Sequence, residues 1–347
     1  MPGLPADLTL PALVVLFGLS GAAVVAAGVV LARNGDAIAE RTGLGGFLVG
    51  MLLLAGATSL PEIATDVSAA LADAPDLAVG DLFGSSMANM AILAIVDLAY
   101  RGRVWARVGL DQARLAAVAI GLTAIALLGI LVPGSPAIGW VGLPTVVIVA
   151  GYLAAATWMR RSRGKGRPAR DVSGEWIAPV GVRVPAMASL TLRQIGARFG
   201  LAAAVVLLAA PVVALSAKGI ADETGIGQSV VGVFLLAATT SLPELVGSFT
   251  ALRIGAHDLA VGNLFGSNAF NMVALLAADV AYVRGPILAA VSPADAVAGV
   301  GAILLMALAL AAVVHGTEMR IRRLEPDAVV ILLAYALLLG AVWAATT

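Results

Sequence analysis

The five residues TSLPE occur twice in this chain, at 58–62 and at 240–244, each time inside a long apolar run. They follow TGLGGFLVGMLLLAGA in the first copy and TGIGQSVVGVFLLAAT in the second. The match continues through DLAVGDLFGSSMANM at 76–90 and DLAVGNLFGSNAFNM at 258–272, always 182 residues later. Because Pro, Glu, Asn and Ser recur in register, we interpret the match as an internal duplication rather than as chance similarity between apolar helices.

The composition predicts an integral membrane protein. Hydrophobic residues make up 61% of the 347 residues and charged residues 12%, with a mean hydropathy of +1.01, whereas soluble domains average about 45–50% and about 25%. Apolar runs such as 11–32 reach the roughly 20 residues that a membrane-spanning helix needs, more than a barrel strand's length of about 10. We therefore expect helical spans in a lipid bilayer, and we interpret the first as a retained helix rather than a cleaved signal peptide.

The same composition argues against several kinds of site. The chain has no cysteine, which excludes disulfides and thiolate metal sites. Its two histidines, His257 and His315, are far apart near predicted span ends, so we interpret them as interfacial residues rather than zinc ligands. We expect no cofactor, no nucleic-acid partner and no enzymatic activity, since the chain has no nucleotide motif and its two distant histidines give no support to an intramembrane hydrolase.

The predicted fold class is an all-α polytopic membrane protein with ten transmembrane helices arranged as two inverted five-helix repeats. The first repeat covers 1–159, with its duplicated segment at about 42–100, and the second covers 197–347, with its segment at about 224–282. Because each repeat holds an odd number of spans, the two must have opposite orientations, as in many alternating-access transporters. The helices are predicted at 9–32, 44–72, 76–99, 109–132, 137–159, 197–218, 226–253, 258–281, 286–314 and 326–345.

Basic residues predict the orientation in the membrane. Lys and Arg concentrate in alternate loops, most densely in RRSRGKGRPAR at 160–170 within a basic linker at 160–196. Because such residues collect on the cytoplasmic side, we expect a multi-pass protein of the cell membrane with both termini outside and this linker in the cytoplasm. Segment 160–170 is a candidate contact for anionic lipid, although we favour a solvated linker that enforces topology.

The TSLPE motifs place oxygen atoms beside a break in each helix. Proline displaces the carbonyl group one turn earlier, so we expect breaks near Ala55 or Gly56 and near Ala237 or Ala238. Hard cations such as calcium prefer a mixture of carboxylate, carbonyl and hydroxyl oxygens, and a carboxylate at membrane depth is a functional candidate by default. The next span of each repeat adds a Ser and an Asn four residues apart on one helix face. The candidate metal ligands are Thr58, Ser59, Glu62, Ser85, Asn89, Thr240, Ser241, Glu244, Ser267 and Asn271.

Other repeated residues have structural explanations. A proline kink with Ser or Thr can be purely architectural, but two symmetric copies, each with a glutamate, favour a functional site. Four glycines form small-xxx-small pairs that favour close helix packing, namely Gly80, Gly84, Gly262 and Gly266. Four aspartates near span ends are expected to cap helices or face the surface, namely Asp76, Asp97, Asp258 and Asp279.

The two segments resemble the alpha repeats of the cation/calcium exchanger superfamily, and are most similar to its sodium/calcium exchanger branch. The pattern there is G-T-S-x-P-E followed by G-N-x-x-G-S-N-x-x-N/D, once in each repeat, and the resemblance covers essentially the whole chain. It implies two inverted five-helix halves, with four core helices around the ions and two long tilted helices sliding past them.

The same resemblance implies roles for individual residues. Calcium is bound chiefly by Glu62 and Glu244, helped by the carbonyl groups of Ala55 and Ala237 and by Thr58 and Thr240. Sodium occupies overlapping and flanking sites, which are built with Ser59, Ser85, Asn89, Ser241, Ser267 and Asn271.

This sequence departs from the family pattern at several positions. Asn271 stands where sodium/calcium exchangers often have aspartate, so the central charge is −2 and neutralises one calcium, two sodium ions or two protons. Asp81 stands where Asn263 in the other repeat follows the pattern, and Ser86 replaces the usual asparagine. Asp66 follows Glu62 by one helical turn. We therefore treat Asp66 and Asp81 as accessory candidates for a sodium or proton route; the alternative is that they line a hydrated vestibule.

These observations predict a secondary antiporter that exports calcium in exchange for sodium by alternating access. The alternative is exchange of calcium, or of another divalent cation, for protons, because carboxylates release calcium when they are protonated. A passive cation channel belongs to a different class, and the inverted repeat argues against it.

Overall fold

The computed structural model describes residues 8–41, 59–100, 104, 108–132, 134–163, 190–253, 257–315 and 325–346. Helices account for most of these residues, so the predicted all-α class is correct. In chain order they are α1 Leu10–Arg41, α2 Leu60–Leu71, α3 Pro75–Ala99, α4 Leu110–Leu131, α5 Leu143–Arg163, α6 Leu192–Thr224, α7 Gln228–Thr240, α8 Leu242–Arg253, α9 His257–Ala281, α10 Pro293–His315 and α11 Pro326–Ala344.

The helices are those of a polytopic membrane protein. Within the described ranges, seven are long and apolar enough to cross a membrane, namely α1, α3, α4, α6, α9, α10 and α11. The bent pair of α7 and α8 makes an eighth if it counts as one span, and α5 contains a shorter apolar helix at Leu143–Met159. The first part of the helix predicted at 44–72 lies outside the described residues.

The two longest helices, α1 and α6, pack along each other and extend beyond their predicted ends at 32, 197 and 218. Helix α6 starts at Leu192 because Thr191 and Gln194 form a capping box, in which each side chain bonds to the other residue's backbone amide. It ends at Thr224 because Gly225 takes the left-handed conformation, with φ of 69°. The apolar runs alone did not indicate these ends.

Two helices begin later than predicted because Asp279 holds non-helical turns. The segment 137–142 is a small antiparallel ribbon, Ala137–Ile138 with Val141–Gly142, and Ile287–Ala289 form a 3₁₀ turn before α10. The Asp279 carboxylate accepts hydrogen bonds from the Gly142 amide at 2.8 Å, Thr145 Oγ1 at 2.6 Å and the Ile287 amide at 2.7 Å. Asp279 has no exposed surface, so its role is internal anchoring and not a surface one.

Helices α3 and α9 form the centre of the molecule. In an 18-residue apolar window of each candidate span, 83% of the residues are buried in α3 and 72% in α9, against 17–50% in the others. Both carry Gly, Ser and Asn along their length, and such polar side chains are costly against lipid. Their central position places the Ser and Asn residues of the duplicated segments in the protein interior.

The glycines of α3 allow its backbone to touch that of α7. A Cβ atom on Gly84 would lie 2.6 Å from Val233 Cα, and one on Gly80 would lie 3.0 Å from the Ser229 carbonyl oxygen. The repeat mates on α9 meet side chains instead, since a Cβ on Gly262 would lie 2.9 Å from Gln112 Oε1 and one on Gly266 would meet only Leu115, at 3.9 Å. The predicted packing role is therefore met by backbone contact in the first copy alone.

Helix boundaries repeat along the chain together with the sequence. Helices α2 and α3 begin at Leu60 and Pro75, and α8 and α9 begin at Leu242 and His257, each pair separated by the same 182 residues as the sequence match. The long helices α1 and α6 follow the same rule. The duplication therefore extends to the secondary structure, well beyond the two segments where it is visible in the sequence.

Candidate cation site

Each TSLPE motif ends at the start of a short helix. Ser59 is the N-terminal cap of α2 and Pro61 lies in its first turn. Backbone amides in the first turn have no acceptor within the helix, so a proline there removes no helical hydrogen bond. Glu62 and Glu244 lie in the first turns of α2 and α8. Because the N-terminal end of a helix carries partial positive charge, this position stabilises an ionised carboxylate.

In the second copy, the break falls later than predicted. Helices α7 and α8 meet at Ser241 with a bend of 41°, and not at Ala237 or Ala238. The Ala237 carbonyl, a predicted ligand, accepts the Ser241 amide at 3.1 Å, and a π-helical turn at Gly232–Leu236 precedes it. The predicted break near Ala55 and the predicted ligand Thr58 lie outside the described residues.

The two glutamates lie in the interior and interact. Neither Glu62 nor Glu244 has exposed surface, and their carboxyl groups are close enough to repel each other electrostatically. Both Glu62 oxygens lack a hydrogen-bond donor among the described residues, whereas Glu244 Oε1 accepts Ser267 Oγ at 3.4 Å. Two interacting acidic groups that are both buried call for a positive charge between or beside them.

Hydroxyl groups from both duplicated segments gather around Asp81. Its Oδ1 accepts Thr240 Oγ1 at 3.1 Å and Ser85 Oγ at 3.4 Å, and these two hydroxyls lie 3.2 Å apart. All three side chains are fully buried. The structure thus joins one ligand candidate from each copy to an accessory candidate, and it places Asp81 away from solvent and not on a hydrated surface.

The asparagines behave differently in the two copies. Asn89 Nδ2 donates to Asn268 Oδ1 at 2.8 Å, and Asn268 Nδ2 donates to the Ser86 carbonyl at 3.1 Å. Asn271 is buried with neither its oxygen nor its nitrogen partnered among the described residues. Asn268 was not among the predicted site residues, although its mismatch with the repeat mate Ser86 was a signal that the two copies differ there.

Several buried oxygen atoms in this region have no donor within the described part of the chain. They are Ser59 Oγ, both Glu62 oxygens, both Asp66 oxygens, Asp81 Oδ2, Asn89 Oδ1, Ser241 Oγ and Asn271 Oδ1. Buried polar atoms normally have partners, so such a group of acceptors suits a cation. No three acidic or His side chains of the described residues converge as a metal cluster, so an ion here would need neutral oxygens as well as carboxylates.

Helix α1 contacts both motifs at one position. A Cβ atom on Gly28 would lie 2.7 Å from Pro243 Cγ and 3.2 Å from Pro61 Cγ. Only glycine leaves room for α1 at this distance from both prolines. The long helix therefore packs directly against the start of both α2 and α8.

A cleft of about 500 Å³ opens beside α8. Its lining runs from Arg253, at the end of α8, to Leu245, the residue after Glu244, and includes Val96 on α3 and Arg33 on α1. The Arg253 guanidinium lies 4.4 Å from the centre of the Phe249 ring. Glu244 itself does not line this cleft.

Comparison with known proteins places this chain in a known class, that of membrane antiporters of the cation/calcium exchanger type. The model of the family "Sodium/calcium exchanger protein" matches residues 12–158 and 196–344, and the chain belongs to this family. The inner membrane protein YrbG of Escherichia coli is 30% identical over 236 residues, which cover 67% of this chain and 69% of YrbG. The predicted family is thus confirmed, and the chain is a transporter and not an enzyme.

Solved structures of two exchangers share the fold. The sodium-calcium exchanger NCX_Mj aligns with a TM-score of 0.60 at 20% identity, covering 96% of this chain and 99% of NCX_Mj. The H⁺/Ca²⁺ exchanger CAX aligns with a TM-score of 0.64 at 14% identity, covering 96% of this chain and 89% of CAX. The fold is therefore common to exchangers that use different coupling ions.

Proposed function

We propose that the chain exports calcium in exchange for sodium by alternating access, with calcium held between Glu62 and Glu244. The observation that carries this proposal is the pair of fully buried, interacting carboxyl groups at the starts of α2 and α8. Their combined charge of −2 matches one calcium ion or two sodium ions. Competition between these ions for the same carboxylates would couple their opposite movements.

The neutral oxygens around the glutamates complete the proposed site. Calcium takes about 6–8 oxygen ligands, which two carboxylates alone do not supply. The proposed further ligands of calcium and sodium are Ala55, Thr58, Ser59, Ser85, Asn89, Ala237, Thr240, Ser241, Ser267 and Asn271. The unpartnered oxygens of Ser59, Ser241 and Asn271 support this assignment.

We assign ten spans in two inverted halves, 1–159 and 197–347, joined by a cytoplasmic linker at 160–196. The 182-residue spacing of the helix boundaries supports this division, as does the family match, which is interrupted at the linker. The shorter helix at Leu143–Met159 and the span ending in α2 would complete the ten. Both termini would then face outside.

The second candidate function is exchange of calcium, or another divalent cation, for protons. Protonation of Glu62 and Glu244 would release a divalent ion, and the fold is shared with the exchanger CAX as well as with NCX_Mj. We favour sodium because neutral hydroxyl and amide oxygens, such as those of Ser241 and Asn271, bind sodium but are poor proton acceptors at neutral pH.

Calcium flux in proteoliposomes tests the coupling ion. We expect an outward-directed sodium gradient, imposed at equal pH on both sides, to drive calcium uptake. A proton gradient without sodium should drive little uptake, and external acid should slow the sodium-driven flux. Full-rate uptake driven by the proton gradient alone would replace the sodium proposal by proton exchange, and downhill flux with neither gradient would indicate a channel.

The same assay tests the two glutamates. Glu62→Gln and Glu244→Gln each keep the side-chain shape but remove one of the two charges, so we expect calcium uptake to fall to the level of empty vesicles. The control is Asp222→Asn, which neutralises an exposed carboxylate paired with Lys218 at 2.8 Å and should transport as wild type. Wild-type uptake by either glutamine variant would remove that glutamate from the site.

A further inference from the structure

A second pair of buried carboxyl groups lies beside the proposed calcium site. Asp66 on α2 and Asp81 on α3 have no exposed surface, and their carboxyl groups lie within hydrogen-bonding reach of each other. Asp66 is one helical turn after Glu62, on the same side of α2. Two acidic groups therefore face each other across the contact between α2 and α3.

The protein supplies few donors to this pair. Thr240 and Ser85 both donate to Asp81 Oδ1. Apart from each other, Asp81 Oδ2 and both oxygens of Asp66 have no hydrogen-bond partner among the described residues. The ion pairs found within the described ranges are all at exposed side chains and do not include either aspartate. Within the described ranges the pair therefore has no counter-charge, and two ionised carboxylates buried in this way are strongly unfavourable unless a positive charge is bound there.

The second repeat provides an internal comparison at the same place. The repeat mates of Asp66 and Asp81 are Ser248 and Asn263. There Asn263 Nδ2 donates to Ser248 Oγ at 3.2 Å, and Ser248 Oγ donates to the Ala260 carbonyl at 3.2 Å. This neutral pair satisfies itself and needs no ion. The same contact between equivalent helices therefore holds two acceptors in the first half and a matched donor and acceptor in the second.

We propose that Asp66 and Asp81 form a second cation site, which binds a divalent ion of the calcium class and shares the Thr240 and Ser85 hydroxyl oxygens with the central site as further ligands. The pair's charge of −2 matches a divalent ion, and the ligand chemistry is that of hard cations. This inference rests on the proposed function, because it extends the same cargo to an adjacent site. The site belongs to the first half alone, since Ser248 and Asn263 lack carboxylates.

The number of calcium ions bound by the full chain tests the proposal. Purified wild-type protein in sodium-free detergent solution at neutral pH should bind two calcium ions per chain in equilibrium dialysis. Replacing the pair by its repeat mates, Asp66→Ser together with Asp81→Asn, should leave one ion and a self-satisfied hydrogen bond. The Asp222→Asn control should still bind two. An unchanged number in the double variant would overturn the proposal.

A complementary variant separates this inference from the proposed function. Glu62→Gln with Glu244→Gln removes the central charges and should leave one ion at the second pair. The second site would be refuted if the double glutamine variant bound no calcium while the Asp66→Ser, Asp81→Asn variant still bound two ions. Conversely, wild-type transport by the glutamine variants, with binding lost only at the aspartate pair, would overturn the proposed function and keep the second site.

A milder substitution covers the case in which the double variant does not fold, as judged by gel filtration and thermal melting. Asp81→Asn alone removes one charge and gives Asp66 an amide donor. It should weaken calcium binding at the second site at least about tenfold, because affinity follows the number of charged ligands. Two unchanged binding constants in this variant would contradict the proposal.

Discussion

Asn271 and its repeat mate Asn89 are both buried but differ in hydrogen bonding. Neither the oxygen nor the nitrogen of the Asn271 side chain has a partner among the described residues, whereas Asn89 donates to Asn268 at 2.8 Å. A substitution at 271 therefore breaks no described hydrogen bond. The same substitution at 89 removes a donor from a buried acceptor, so the two positions offer a matched test of charge against structure.

We predict that a carboxylate added at position 271 and one added at position 89 have different effects. Asn271→Asp should raise calcium affinity by about tenfold, because an extra charged ligand strengthens cation binding. It should also change the sodium concentration at which calcium flux is half-maximal. Calcium titration and sodium-dependent flux measure both effects. Unchanged calcium affinity in Asn271→Asp would show that this side chain does not face the ions.

The matched variant, Asn89→Asp, replaces a donor with an acceptor opposite Asn268 Oδ1. Leaving that buried oxygen without a donor costs about 1–3 kcal/mol. We expect a lower melting temperature in detergent, without the gain in calcium affinity. Equal stability of the two variants would mean that the Asn89 hydrogen bond contributes little.

The close crossing of α3 and α7 is the feature that determines the geometry at the scale of helices. Gly84 leaves no room for a methyl group beside Val233, while its repeat mate Gly266 leaves ordinary contact distance to Leu115. Separating α3 from α7 would also lengthen the bond from Thr240 to Asp81. Packing at this crossing and the site's geometry are therefore coupled.

We expect Gly84→Ala to destabilise the protein by about 1–3 kcal/mol, the usual cost of overpacking, and to slow calcium flux. Gly266→Ala makes the same chemical change on α9 and should leave the melting temperature nearly unchanged. Thermal unfolding of both variants in one detergent provides the comparison. Equal destabilisation would point to helix flexibility, and not to the Val233 contact, as the reason for the glycines.

The sequence predicts the apolar helices and the burial of Glu62 and Glu244, because both can be inferred from short stretches of consecutive residues. It does not predict that α7 bends at Ser241, since the π-helical turn before the bend lies where Gly232 meets the α3 backbone. It also does not predict that Asp279 holds three separate segments, because these contacts join residues far apart in the chain. The capping box is visible in the sequence, because Gln194 follows Thr191 by three residues.

The arrangement of the whole molecule in the membrane leads to a labelling prediction. The chain has no native cysteine, so single cysteines introduced at Ser162 and Thr347 report without background. A membrane-impermeant maleimide should label position 347 in intact cells and position 162 only after permeabilisation, because the basic linker is expected inside. Labelling of position 162 from outside would reverse the proposed topology.

The hydrogen bond from Asn268 to the Ser86 carbonyl has a consequence for the ancestry of the chain. These two residues are repeat mates, so in a two-fold arrangement they would lie beside the axis. In an ancestral homodimer of a single half, the same residue would have met its own copy across that axis. Here the Asn268 side-chain amide donates to the Ser86 backbone oxygen, and Ser86 has no side-chain amide to return the bond. Two unlike residues can take these two positions once both halves are parts of one chain. Two copies of the first half would place Ser86 at both positions and would have no side-chain amide to make this bond.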